Sequence, residues 1–549
     1  MVDQYGSLSC NLELLPGRVG GYRLRFPIHL VAREHVSGAA PQLGRPPART
    51  GAACLKHATL LLMPLLLDRP GVAGGTGRPV RRNNGPVRYG VSVTSILVPL
   101  LFAACTEPAA VKAGRAQPYA DGVTLRDTSG RELRLHGFNA RVEGLFDVTF
   151  DDGRIPLETI PPFGDADCAF IADELGMNLL RLPVNWSGME PEDDRFDEAY
   201  FDRVTAVVDA CWTHGVYTQL DIHQDAYSKE IGEDGAPLWA IVPAPAELLE
   251  GPLEDLEARR TSGPVLAAFR SLYTNQAGLF DAYGDMAGEL AGRFVDHPGI
   301  VGIELHNEPV ALGDQASLDA FHEAVALAVR DRAPSMAIHF EPDAFRNLTD
   351  SAPVTNPFPL GNVVYAPHVY TDVFEDGWAS LDTGAIEASV AAAREEATAH
   401  DAPLLVGEFG HDPETEAGRA YIAAALESFD AYSASWAFWV YEEWSQGRWG
   451  LYGGDTESRG PLRDELADLL TRPFPAAVDG KVTHVAWDGA ALTVGLDGAG
   501  DGEHLVSAPS RVWPGEVVVQ CDGQQVDATR VGGRVRFRCG GGEVVVAGE

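Results

Sequence analysis

The chain has 549 residues, with 79 Asp and Glu against 42 Lys and Arg, for a formal net charge of −37. That acidity opposes binding to nucleic-acid phosphates and simple electrostatic adhesion to anionic membranes. At 45% hydrophobic and 22% charged residues, it can build one large domain plus a small one.

Residues 1–88 depart from this balance. They hold 12 Lys and Arg against 4 Asp and Glu, which leaves −45 on the remainder. They show no sustained hydrophobic period beyond ATLLLMPLLL at 58–67, and read as a non-native or disordered leader from a start codon placed too early. VRRNNGPVR (80–88) supplies a basic approach to the apolar run YGVSVTSILVPLLFAAC. Residues 89–105 are therefore expected to be a secretory signal, too short to span a bilayer. The ending LFAAC resembles a bacterial lipobox. That resemblance implies lipidation of Cys105 and an exported chain anchored in a bacterial cell envelope, or a secreted one if cleavage is ordinary. Residues 106–120 form a polar, Ala- and Pro-rich tether.

From 121 to 475 strands and helices alternate, as in a parallel sheet wrapped by helices. Strands are expected at 133–139, 178–186, 216–224, 300–308, 336–343, 363–370, 403–409 and 435–443. Helical periods fall between them, for example at 165–176, 200–215, 280–298 and 318–332, while the fifth helix, near 344–350, is short. Eight such units make a (β/α)8 TIM barrel. Two connections are long, 140–166 and 225–279, and in a barrel such βα loops build the active-site face. Past TRPFP (471–475), short alternating runs punctuated by Gly and Asp mark residues 476–549 as a small antiparallel β-sandwich domain.

Four cysteines follow Cys105. An even number in an exported chain permits two disulfides, and no spacing resembles a zinc site. Cys168 and Cys211 fall in helices of consecutive βα units, which pack side by side. Cys521 and Cys539 end short neighbouring strands, where a cross-strand bridge would staple a small domain. Four buried thiols is the alternative.

The chemistry gathers at strand ends. IVGIELHNEP (300–309) is an apolar strand run that terminates in His306, Asn307 and Glu308, and APLLVGEFG repeats the design with Glu408. Two carboxylates at the ends of two strands of one barrel are what glycosidic cleavage requires. Arg181, His223, His368, Tyr370 and Trp439 fall at other strand ends and are expected on the same face. Singly, each has an ordinary reading as an ion pair, a core histidine or packing; together they make a poor core and a good sugar site. Glu308 is expected as general acid and then base, with a carboxyl raised by partial desolvation near another carboxylate. Glu408 is expected as nucleophile, held ionised by Arg181 and Tyr370. Asn307 suits the sugar 2-hydroxyl, Trp439 a pyranose face, and His223 and Asp225 further hydroxyls. No metal is expected.

NEP, HVY, GEFG and the strand-eight Trp resemble a retaining enzyme of glycoside hydrolase family 5 (clan A) over roughly residues 121–475. More narrowly, LDIHQDAYS followed by GEDGAPLWA, with the C-terminal β-domain, is similar to the endoglycoceramidases. That resemblance implies cleavage between an oligosaccharide and ceramide in glycosphingolipids, without a cofactor. By motif, Glu308 matches the acid/base and Glu408 the nucleophile, while Asn307, His223, Asp225, Tyr370 and Trp439 match sugar-site positions. Two stretches depart from the group: ARVEGLFDVTFDDGR is longer and more acidic, and VALGDQ after NEP lacks an aromatic. The apolar loop at 236–249 leans toward a lipid aglycone. The competing readings are a β-glycanase or β-glucosidase on non-lipid substrates, and a non-catalytic glycan- or lipid-binding lipoprotein. Oligomeric state stays open.

Overall fold

A computed structural model describes residues 116–549 apart from 351–355, 372, 374–381, 445–448, 456–457 and 501. The expectations for 1–115, including lipidation of Cys105, lie outside the described residues.

Each of the eight apolar runs forms a parallel strand: β1 (His136–Asn139), β2 (Leu179–Asn185), β3 (Tyr217–His223) and β4 (Ile300–Glu304), then β5 (Ile338–Phe340), β6 (Val363–Tyr365), β7 (Leu405–Val406) and β8 (Ser435–Phe438). Hydrogen bonding runs in the order β7-β8-β1-β2-β3-β4-β5-β6. Parallel bridges Tyr365↔Leu404 and Val369↔Phe409 join β6 to β7 and close the ring. All seven residues of β2 are buried, because the barrel interior covers one face and the helices cover the other. Hence the strands read as apolar runs without clean alternation.

A helix follows every strand: α1 (Asp165–Ala169), α2 (Glu198–Thr213), α3 (Leu279–Arg293), α4 (Gln315–Arg332), α5 (Ala344–Thr349), α6 (Thr383–Ala399), α7 (Glu416–Ala431) and α8 (Asp464–Leu470). Starts are capped where the sequence allows: Asp197, Asp314, Asp382 and Thr415 each accept backbone N–H groups of the first turn. Helix α2 buries Tyr200, Phe201, Val204, Val207, Val208 and Cys211, a stripe of helical spacing. Cys211 is bridged to Cys168 on α1, with Cα atoms 4.9 Å apart.

The C-terminal strands form two antiparallel sheets. One contains Lys481–Trp487, Ala491–Asp497, Gly542–Gly548, Val517–Cys521 and Gln524–Val526; the other contains Pro475–Val478, Glu503–Ser507, Arg534–Arg538 and Ala528–Val531. The Cys521–Cys539 bridge forms, but it is not cross-strand: Cys521 ends a strand of the first sheet and Cys539 follows one of the second. It ties the two layers together. The second sheet also takes in Tyr119–Asp121, Thr124–Arg126 and Glu132–Leu133, the last pairing with Ala477 and Val478. The run expected as one strand at 133–139 is thus two: its start belongs to the sandwich and its end to the barrel.

The sandwich sits against the αβ turns. Ser507 Oγ donates to the Gly176 carbonyl at 2.8 Å, and Arg534 donates to the carbonyls of Met177 and Gly215. These turns mark the end of the barrel opposite the strand C-termini. On the other end the long loops 140–164 and 224–278 clasp one another. Lys229 Nζ lies 2.7 Å from Asp147, Arg154 lies 2.7 Å from Glu230, and the Gly251 and Leu253 amides donate to the Ile155 and Leu157 carbonyls. Phe146, Val148, Leu157 and Ile160 form a small core beneath this clasp.

Candidate active site

Arg181, on β2, is the hub of the barrel mouth. Its side chain is fully buried, so each N–H needs an acceptor and its charge needs a counter-charge. Nη1 donates to Glu408 Oε1 at 2.7 Å and Asn139 Oδ1 at 2.9 Å, and sits 3.0 Å from Asp221. Nη2 donates to Asn307 Oδ1 at 2.8 Å, and Nε to Glu304 Oε2 at 3.1 Å. Burial works against the guanidinium charge, but Asp221, Glu304 and Glu408 raise its pKa well above the ordinary value.

Glu408 follows β7 and is nearly enclosed, its side chain 6% exposed. Besides Arg181 it accepts a 2.9 Å hydrogen bond from the Tyr370 hydroxyl. Burial raises its carboxyl above the usual range, against the smaller opposing pull of His368 and Arg181. Glu308, beyond β4, is the more open of the two, at 24% exposed. His368 stands between them, with Nδ1 2.9 Å from Glu308 Oε1 and 3.5 Å from Glu408 Oε2. One carboxylate oxygen of Glu308 and one of Glu408 lie within 4.8 Å of each other.

The remaining expected residues line the same mouth. Asn307 has its amide oriented on both sides, accepting from Arg181 and donating from Nδ2 to the Gln224 carbonyl at 2.9 Å. Trp439 lies parallel to the His223 ring, centroids 5.6 Å apart and 8° between planes. His223 Nδ1 is 2.6 Å from Asp221 and its Nε2 3.4 Å from Asp225. Burial disfavours a charged His223, yet Asp221 raises its pKa well above the ordinary value. Asp225 is likewise penalised by burial, but Arg260, 3.4 Å away, and then His223 hold it at about 2. His223, Asp225 and Asp234 offer ligand atoms within 4.8 Å of one another, and Arg260 already supplies the positive charge there.

Sequence reasoning missed the layer beneath. Asn139, Asp221, Glu304 and Glu341 contact Arg181 or its partners, and Asp234 orients the loop by accepting from the Asp225 amide at 2.9 Å and the Asn185 side chain. A signal existed: carboxylates inside apolar strand runs, Asp221 in LDIHQ and Glu304 in IVGIELHN, need a buried cation. On the rim, Arg141 joins Glu158 at 2.8 Å and Glu443 at 3.2 Å, fastening the first long loop to the segment after β8.

A closed (β/α)8 barrel that opposes two carboxylates this closely at its C-terminal mouth, over a guanidinium and beside an indole, has the architecture of a glycoside hydrolase. The chain belongs to glycosyl hydrolase family 5, whose cellulase model matches residues 137–445. It is 29% identical over 407 residues to Endoglycoceramidase I of Rhodococcus hoagii (strain 103S), covering 67% of this chain and 74% of that protein. Endoglycoceramidase of Cyanea nozakii is 25% identical over 424 residues, with 66% and 77% covered. Among solved structures, endo-glycoceramidase II from Rhodococcus sp. in complex with ganglioside GM3 superposes with a TM-score of 0.65 at 25% identity, covering 78% of this chain and all of that one.

Proposed function

We propose that this chain is a retaining endo-β-glycosidase that hydrolyses the bond between a glycan and ceramide in glycosphingolipids. The observation that carries the retaining assignment is that one carboxylate oxygen of Glu308 lies within 4.8 Å of one of Glu408, a close approach that suits the ~5–5.5 Å carboxyl separation of retaining enzymes better than the ~6.5–9.5 Å that admits a water. Environment divides the roles. Glu408 is enclosed and accepts from Arg181 and Tyr370, donors that favour the carboxylate, so it attacks the anomeric carbon. Glu308 faces solvent and gives its proton to the departing ceramide oxygen. The resulting glycosyl-Glu408 ester is opened by a water that Glu308 deprotonates. Asn307, His223, Asp225 and Trp439 hold the sugar.

The lipid half of the substrate is supported by the relatives and by the surface beyond the acid/base. Ceramide departs on the Glu308 side, where the 309–313 loop packs on the start of α5 through the Ala344 amide to the Pro309 carbonyl at 2.8 Å. Leu312, Phe345 and Leu348 are exposed there, and Phe345 supplies an aromatic beside the loop that lacks one. In the 236–249 loop Ala240 and Ile241 pack inward, while Leu238 and Leu248 stay exposed. We further propose that Cys105 is lipidated and holds the enzyme at a membrane surface, near amphiphilic substrates. Intact mass of membrane-extracted protein tests this: a diacylglycerol-modified chain beginning at Cys105 is expected, and a mature species retaining residues 1–88 refutes it. The activity is tested by incubation with gangliosides, lactosylceramide and cellulose-type glucans. Release of intact oligosaccharide from the lipids supports the proposal; cleavage of glucans alone refutes it.

A further inference from the structure

Glu341, the residue after β5, takes no part in the mechanism above, yet it is fully buried against it. Its Oε1 accepts the backbone N–H of Glu308 at 3.0 Å and lies 3.4 Å from Nε2 of His368, whose Nδ1 contacts the Glu308 carboxylate at 2.9 Å. Its Oε2 accepts from Asn347 Nδ2 at 3.3 Å, and Asn347 Oδ1 accepts the His368 amide at 3.1 Å. One carboxyl therefore reaches Glu308 by two routes, directly through its main chain and, by way of Asn347, through the His368 imidazole that touches its side chain.

Glu308 needs such support. Its φ is +42°, in the left-handed region that a non-glycine residue occupies at a cost of about 1–3 kcal/mol and keeps only where its surroundings fix it. Charge also suits the arrangement. Glu341 faces Glu304, with Arg181 Nη2 3.7 Å away. Burial, then the Glu304 charge, push Glu341 well above the usual range, whereas Arg181 overcomes burial to hold Glu304 at about 2. Burial and the Glu304 charge thus favour the neutral form of Glu341, the form that accepts the Glu308 amide without adding negative charge beneath the acid/base.

We propose that Glu341 is a positioning residue for proton transfer, holding the Glu308 carboxyl at the leaving oxygen through the Glu308 amide and His368. This rests on the acid/base role given to Glu308. Misplacing a general acid harms a substrate in proportion to how much its leaving group needs a proton, which separates this role from a merely structural one.

The test compares kcat/KM of wild type, Glu341→Ala, Glu341→Gln and Glu308→Gln on a glycosphingolipid and on the dinitrophenyl glycoside of the same glycan, whose phenolate leaves without a proton. Glu341→Ala is expected to lose about a hundredfold on the lipid and under about fivefold on the aryl glycoside. Glu341→Gln keeps an oxygen for the Glu308 amide and is expected within about tenfold of wild type on both. If the alanine variant does not fold, Glu341→Asp, which retracts the carboxyl by one methylene, is expected to show the same leaving-group dependence. Equal losses on the two substrates, or no rescue by glutamine, overturn the proposal while Glu308→Gln still shows its asymmetry. Absence of asymmetry in Glu308→Gln overturns the role of Glu308 and this inference with it.

Discussion

Replacing Arg181 by Met should destabilise the protein in a pH-dependent way, because one buried guanidinium serves Glu408, Glu304 and Asp221 at once. The magnitude follows from Glu304. Against the cost of burial, Arg181 holds its carboxyl at about 2, compared with an ordinary 4.5. That depression contributes on the order of 3 kcal/mol at neutral pH, in line with the ~3–5 kcal/mol lost when one partner of a buried pair is removed. In the wild type this contribution is complete above pH 4.5 and is lost as pH falls toward 2. In Arg181→Met the stranded carboxyls have folded pKa values above their unfolded ones, so the penalty grows as pH rises past 4.5 and is relieved in acid. Urea melts of both proteins at pH 7 and pH 4 check this. The deficit is expected to be several kcal/mol at pH 7 and clearly smaller at pH 4. A deficit independent of pH, or none at pH 7, refutes the reasoning.

Other consequences can be measured separately. Non-reducing peptide mapping after alkylation should recover Cys168 joined to Cys211 and Cys521 joined to Cys539. Removing the first bridge should cost about 4 kcal/mol and the second about 3, from closed loops of 43 and 18 residues; free thiols at these positions contradict the fold. Burial holds His322 at about 4, among the rings of Phe321, Phe340 and Phe358. Its neutral form is the native one, so the stability it confers is full above pH 6.5 and falls away toward pH 4. His322→Leu should make that acid decline shallower by roughly 3 kcal/mol, and an unchanged slope counts against a buried neutral imidazole. Phe345→Ala should lower kcat/KM on a glycosphingolipid about tenfold, a loss of ~1.4 kcal/mol of apolar contact, and leave a water-soluble aryl glycoside unaffected. Equal effects on both would remove α5 from the aglycone surface.

How far the chain could be read in advance depended on burial. Barrel strands covered on both faces announce themselves as apolar runs, and polar residues that end such runs, Glu308, Glu408 and Tyr370 among them, share one mouth in a parallel barrel. The layer below resisted because Asp221 and Glu304 are carboxylates inside apolar strand runs and Glu341 directly follows one, and only the three-dimensional position of Arg181 explains them. Leu133 could not be separated from β1 by inspection, since its partner Ala477 lies more than 300 residues away and both stretches are extended with only two residues between them. The Cys521–Cys539 bridge is obscured for a related reason: strand ends near in sequence suggest one sheet, whereas the sandwich places them in facing layers. The apolar 236–249 segment was ambiguous by composition, as part of it packs and part stays exposed.

The central claim, double displacement at Glu408 with release of an intact glycan from ceramide, is tested most directly by following the first turnovers on lactosylceramide or a ganglioside by proton NMR. The anomeric doublet of the released oligosaccharide reports the configuration before mutarotation, and the lipid phase reports ceramide. The account predicts the β-anomer of the whole oligosaccharide first, together with free ceramide, and no product from Glu408→Gln. Initial release of the α-anomer, or of monosaccharides while the glycan shortens on the lipid, would contradict it.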